Sequence, residues 1–487
     1  MRSAVTDPLF RCLAPASALA AALLLAPATT RAETLADAIA QAYQSNPSLL
    51  AQRSSLRITD EAYVQARAGY RPQLNAEVDA TRQDVLQQTT NAANAFLTLT
   101  QPLYTGGRTA AAVSAAEADI LSGRETLRLA EESLLQSVIQ AYADVLRDEE
   151  GVTIRQKNLT AGLDQLKEVK ARTRVGDLTR TDTAQSQAYV NQAKIDLANA
   201  KAQLEVSRDE YLAIVGVLPG TLAPLADLPN MPATLNQAIA TAEAANPALR
   251  AAFYIEAGAR KRVDEARSQR MPTLSLKAQL GYTGPVSPYQ PNIYAHEVLA
   301  TATVVQPLFA GGAIESQVRQ QIERQTSARI QIDLTRRQMV QQLGQSWAQY
   351  MADKENLSSA QEAVSDNQTA YEGVQKESRA GLRSTLEVLS IEQNLRDSEL
   401  LQSSIKHDTS VLAAQVLSAM GLLDVRLLAP NIAAYRPEKS FNAVKNKGSI
   451  PTDSISALLD NIGASPLHRL PPPPQAPVPA PPTAGGG

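Results

Sequence analysis

The chain has 487 residues, a formal charge of −3, 4% aromatic residues and one cysteine. So few aromatics among abundant Ala, Gln, Leu and Ser suit long helices better than a large globular core, and the balanced charge gives no hint of nucleic-acid binding. The lone Cys12 leaves no intrachain disulfide and no Cys-ligated metal.

Residues 1–32 read as a secretory signal. Arg2 and Arg11 supply the positive start, Leu13 to Ala28 the apolar stretch, and Thr30-Arg31-Ala32 a cleavage site before Glu33. Cys12 would leave with it, and the mature charge would be −5, because the segment carries a net +2. No later segment approaches 18 consecutive apolar residues, so any membrane span has to be built from strands.

The rest of the chain is written twice. Leu35-Ala36-Asp37-Ala38-Ile39-Ala40 returns as Leu235-Asn236-Gln237-Ala238-Ile239-Ala240, and Asn46-Pro47 as Asn246-Pro247, an offset of 200. Beyond the predicted strands the offset is 205, taking Gln101 to Gln306, Gly176 to Gly381 and Gly216 to Gly421. The first repeat spans 33–216, a linker 217–233, and the second repeat 234–428.

Each repeat opens with a helical stretch, 35–69 or 235–270, interrupted at Asn-Pro because the residue before Pro avoids the helical region. A strand follows. Over 272–282, Leu274, Leu276, Ala278, Leu280 and Tyr282 alternate with Thr273, Ser275, Lys277 and Gln279, a period of two with one apolar face. Leu74, Ala76, Val78 and Ala80 repeat it more weakly. Return strands over 95–103 and 296–308 complete one hairpin per repeat, with strands of the length that crosses a bilayer when tilted.

Both return strands end in Gln-Pro-Leu-aromatic-x-Gly-Gly: Pro102, Gly106 and Gly107 in the first copy, Pro307, Gly311 and Gly312 in the second. Pro cannot donate to a sheet ladder, and paired Gly permits a tight turn. Each copy therefore reads as a strand-to-helix elbow. Long helices follow over 108–173 and 313–379. Val138, Val145, Val152, Leu159 and Leu166 recur every seven residues, as do Leu343, Tyr350, Leu357, Val364 and Tyr371, which predicts coiled-coil packing. Tip turns at Gly176 and Gly381 lead into return helices over 180–216 and 383–421. Past Leu428 the heptads stop, and 429–487, with Pro471 to Pro474, reads as a Pro-rich disordered periplasmic tail.

Four membrane-length strands cannot close a barrel, for which about eight is the minimum. Three chains would supply twelve and enclose an open lumen, which the helices would extend by roughly 100 Å. The duplicated plan, the two elbows and Arg174-Val175-Gly176-Asp177-Leu178-Thr179-Arg180-Thr181-Asp182 resemble the TolC family of outer-membrane factors over about 33–428. The resemblance implies a mainly α chain with a β-barrel part, assembled as a homotrimer. A coiled-coil helical barrel in the periplasm would be continuous with a 12-stranded transmembrane β-barrel in outer-membrane lipid.

It also implies docking to a periplasmic adaptor protein and to an inner-membrane ABC or RND-type transporter, for multidrug efflux or type I secretion. Neither a cofactor nor catalysis is implied. Thr181, Asp182 and Arg383 fall on the family's gating links at the periplasmic tip, and Glu387 on an entrance carboxylate that would form a cation ring. Ser378 stands where some members carry a linking Tyr, and Ser390 where some carry a second entrance acid.

The residues support no active site. His296, His407 and His468 lack metal-ligand spacing, and no Lys follows the glycine pairs as a phosphate loop requires. The competing reading is a periplasmic coiled-coil adaptor or structural envelope protein, which would need a separate globular β module that the sequence does not display.

Overall fold

The computed structural model describes residues 32–85, 88–286 and 293–462. The expected signal up to Arg31, Cys12 and the prolines from Pro471 onward lie outside the described residues. No described helix is long and apolar enough to cross a membrane.

In the first repeat, α1 (Leu35–Ser45) starts at a capping box in which Thr34 and Asp37 satisfy each other's backbone N–H groups. Asn46 ends α1 and caps α2 (Pro47–Ala68), its Oδ1 accepting from Ser48 N at 3.0 Å and Leu49 N at 3.3 Å. The same Asn donates from Nδ2 to the Ile214 carbonyl at 3.0 Å. In the second repeat, Asn246 separates α5 (Leu235–Ala245) from α6 (Pro247–Ser268) and donates to Ala419 O at 2.9 Å. Ile214 and Ala419 are 205 apart, so the sequence duplication is a duplication of contacts.

Strands β1 (Gln73–Val85), β2 (Gln88–Tyr104), β3 (Thr273–Gly284) and β4 (Ala295–Val305) form one antiparallel sheet in the order β1-β2-β3-β4. The hairpins share a register: Gln73 faces Thr100 in the first, and Thr273 faces Val305 in the second. Between repeats, β2 pairs with β3, Thr98 opposite Gln279, with a bulge between Pro102 and Tyr104 at the elbow. Edges β1 and β4 carry exposed apolar side chains, among them Val78 (83% exposed) and Val304 (67%).

Both elbows turn through glycines at positive φ, 72° and 83° at Gly106 and Gly107, 60° and 81° at Gly311 and Gly312. A side chain would strain this left-handed backbone. From the elbows run α3 (Arg108–Arg174) and α7 (Ala313–Arg379), each 67 residues and so about 100 Å long. Helices α4 (Arg180–Val215) and α8 (Thr385–Ala419) return alongside them. Val138, Val145 and Leu166 of the predicted stripe are buried, as are Val190, Leu197, Leu204 and Tyr211 on α4. On α7 only Leu343 of the corresponding five is buried; Tyr350, Leu357, Val364 and Tyr371 stay half-exposed.

The main core lies where α1, α3 and α4 meet the end of α8, around Ile39, Leu135, Tyr142, Tyr211 and Leu417. Segment 217–233 belongs to it. Leu222 and Leu228 are buried there, Leu222 bridges to Glu33, and the Tyr142 hydroxyl donates to Ala223 O at 2.6 Å.

One expectation fails. Residues 429–462, read as part of a disordered tail, pack against the first repeat. After α9 (Val425–Leu428) come α10 (Pro437–Val444) and α11 (Thr452–Asp460). Pro437 and Pro451 sit at helix starts, where a missing N–H costs little. Asp453, Ser456 and Asp460 are buried because each finds polar partners, which heptad counting does not detect.

Candidate functional site

The candidate gate lies at the ends of the two long hairpins. Gly176 and Gly381 take φ of 85° and 78° there, with open space around each. Past each glycine the chain re-enters a helix through a capping box. Thr179 accepts from Asp182 N at 3.2 Å, and Asp182 Oδ2 accepts from Thr179 N at 2.9 Å and Thr179 Oγ1 at 2.6 Å. Ser384 and Glu387 do the same before α8: Glu387 Oε2 accepts from Ser384 N at 2.8 Å and from Ser384 Oγ at 3.0 Å.

These contacts favour the charged carboxylates. The Thr179 hydroxyl holds the Asp182 carboxyl below its ordinary range. The Ser384 backbone N–H, its hydroxyl and the Arg383 guanidinium do so for Glu387. Arg383 lies just outside α8, donating from Nε to Glu377 at 2.8 Å and from Nη1 to Glu387 at 3.2 Å. Hydrogen bonds to the two glutamates raise its pKa. Thr181 is exposed on the first turn of α4.

Within one chain, Asp182 and Arg383 are therefore not brought together. Each is occupied by its own turn. The contact that joins the two tips is one the sequence reading does not reach: Arg172 pairs with Asp177 at 3.0 Å and donates from Nη1 to Ser378 O at 3.3 Å. No local motif announces a side chain bound to a carbonyl 206 residues away. The capping boxes were legible as Thr-x-x-Asp and Ser-x-x-Glu.

Farther from the tip, a buried polar layer joins the two coiled coils. Glu392 on α8 is 5% exposed. With its nitrogen turned toward Tyr189 and Glu392, the Asn158 amide donates to both, at 2.6 and 3.2 Å, and accepts from Arg396 at 3.3 Å. Burial pushes the Glu392 carboxyl up to about 7, against the hydrogen bond from Tyr189 and the Arg396 charge. Among the described residues no group of three or more His, Cys, Asp or Glu is placed to hold a metal.

A strand quartet with two open edges, continuous through two glycine elbows with a pair of ~100 Å helical hairpins, defines one protomer's share of a barrel-and-tunnel channel. The Outer membrane efflux protein family matches residues 38–217 and 238–422. The chain belongs to this family, that of the TolC-type outer-membrane factors: it is an outer-membrane export channel with a periplasmic tunnel. It is 29% identical to outer membrane efflux protein BepC of Brucella suis over 436 residues, 89% of this chain and 95% of BepC. To TolC of Escherichia coli it is 24% identical, over 84% of this chain and 86% of TolC. The Campylobacter jejuni CmeC outer membrane channel superposes with a TM-score of 0.71 at 14% identity, over 86% of this chain and 90% of that one. The adaptor reading is set aside, since the family match spans both repeats.

Proposed function

We propose that the channel is a homotrimer with a twelve-stranded barrel, and that it exports small molecules or proteins with a periplasmic adaptor and an inner-membrane ABC or RND-type transporter. The observation that carries this reading is the pair of unpaired edges, β1 and β4. An open edge in lipid leaves backbone groups without partners, at several kcal/mol each. The internal repeat supplies the closing geometry. Thr98 opposite Gln279, moved by the offsets of 205 and 200, becomes Thr303 opposite Asp79 of the next copy. Leu99 opposite Ala278 becomes Val304 opposite Val78, both exposed in the single chain. The half-exposed stripe on α7 would be covered by the same neighbour.

In this reading the tip residues Thr181, Asp182 and Arg383 form the gate, pairing across copies, and Glu387 forms a ring of three carboxylates that favours cations. The carboxylates are held charged by their caps, which suits both roles. The protein performs no catalysis. Mass measurement in detergent gives three chains, and a stable monomer overturns the assembly. Deleting the gene and following drug sensitivity beside the secreted proteome separates efflux from protein secretion.

A further inference from the structure

The two elbows are alike in sequence and unlike in surroundings. The second is open, with Leu308 92% and Phe309 90% exposed. The first is buried under the chain's own C-terminal segment. Helix α3 starts at Gly107, which has no side chain to cap it. Its cap comes from Asp460, which is 1% exposed. Asp460 Oδ1 accepts from Thr105 N at 2.6 Å, Thr105 Oγ1 at 2.8 Å and Gly107 N at 3.0 Å, and Oδ2 accepts from Ala110 N at 3.2 Å. These are the orphan donors that any helix start leaves, here satisfied by a residue some 350 positions downstream.

The segment that delivers Asp460 is held along its whole length. On α2, Arg53, Asp60 and Arg67 recur every seven residues and so share one face. The Arg53 guanidinium lies between the rings of Tyr43 (4.5 Å) and Tyr435 (5.0 Å). Ser440 donates to Asp60 at 2.8 Å, and Arg67 donates to Lys445 O at 3.0 Å. Arg71 pairs with Asp453 at 3.2 Å. Ser456 accepts from Gln101 at 3.1 Å and donates to Pro102 O at 3.2 Å, both within the elbow motif. In the second repeat the matching positions are Phe253, Arg260 and Arg267, and no segment of this chain covers them with such contacts.

We propose that the α2 stripe and the first elbow form a docking surface whose partner is residues 435–460 of the same chain, and that this latch must seat before copies of the chain can assemble. Strand β2 pairs on both sides, with β1 and with β3, and ends in this elbow. Until Asp460 arrives, the end of that strand and the start of α3 hold unsatisfied N–H groups. Because the acid lies so late in the sequence, an incomplete chain cannot finish its first elbow. The acids of the latch meet the positive ends available: Asp453 meets Arg71, and Asp460 meets the N-terminus of α3.

This inference rests on the trimer reading, and the test separates the two. Full-length protein, Asp460→Ala and Asp460→Asn are refolded into detergent micelles. Trimer formation is followed by native mass, helix content by circular dichroism, and latch seating by limited proteolysis within 435–460. The expected result for Asp460→Ala is helix content close to that of the unaltered chain, a latch cut readily, and trimer formation at least tenfold slower. Asp460→Asn, which keeps the volume and one acceptor oxygen, should fall between and stays readable if the alanine variant fails to fold. Trimer formation by either folded variant at the unaltered rate overturns the latch. Failure of the unaltered chain to form trimers overturns the assembly reading instead.

Discussion

Arg172 reaches from the end of α3 to the carbonyl of Ser378 at the end of α7, at 3.3 Å, while pairing with Asp177 at 3.0 Å. One guanidinium thus ties the tips of both hairpins within a single protomer. Opening a ring of such protomers moves tip against tip, so this contact opposes it. Exposed ion pairs and hydrogen bonds of this kind contribute ~0–1 kcal/mol. Arg172→Ala should therefore raise the open probability of single channels in planar bilayers by up to about fivefold. An unchanged open probability would remove Arg172 from the gate.

The capping role and the latching role of the tip acids can be told apart. Thr179→Ala removes the cap at ~1 kcal/mol and leaves the Asp182 charge. Asp182→Asn with Arg383→Gln removes the charges and keeps groups able to hydrogen-bond. If pairing across copies holds the tip shut, the double variant conducts more than the unaltered channel and Thr179→Ala does not. Glu387→Gln should lower cation selectivity and weaken block by multivalent cations from the periplasmic side. Equal selectivity before and after would end the cation-ring assignment.

Glu392 sets a pH dependence. Its folded pKa of about 7 lies above the ordinary 4.5, so the folded protein holds this proton more tightly than the unfolded chain does. That contribution is fully present below pH ~4.5 and is lost as the pH rises through ~7; in total it reaches at most ~3 kcal/mol. Amide exchange in 385–400 and 155–165 should accelerate between pH 5 and 8 beyond its intrinsic pH dependence. Glu392→Gln should abolish the excess. An excess that survives the substitution would assign it to another group.

On β3, Leu276 and Leu280 are exposed in the single chain, at 42% and 47%. They belong to the apolar set expected to face lipid, and Gln279 to the set expected to face the lumen. A midplane Arg on the lipid face costs ~2–4 kcal/mol, and far less in the lumen. Leu276→Arg should reduce trimer yield in outer membranes more than Gln279→Arg. Equal yields would show that the strand does not span there.

The seam register is tested with cysteines, since Cys12 is the sole native one. Residues directly opposite in antiparallel strands have Cα atoms ~4.5–5.5 Å apart, within disulfide reach. Thr303→Cys with Asp79→Cys should give covalently linked trimers on oxidation, and Thr303→Cys with Val85→Cys should not. Linkage of the second pair but not the first would mean that the neighbouring copies meet in a shifted register.

The sequence by itself determined the duplication, the elbows, the hairpin count and the long coiled coils. Each rests on a short-range rule: Gly-Gly needs positive φ, Asn-Pro breaks and restarts a helix, and period two or seven assigns one face to neighbours. From strand count and bilayer length alone it also led to the barrel. Only the tertiary structure decided what meets what across hundreds of residues. Asp460 caps α3, Arg172 finds the Ser378 carbonyl, and Glu392 shares a buried layer with Asn158 and Arg396. Each of these polar side chains would look solvated in a sequence window. Whether such a group is buried depends on the partner that replaces its lost water, and that partner lies on a distant segment brought alongside by the packing of the two repeats.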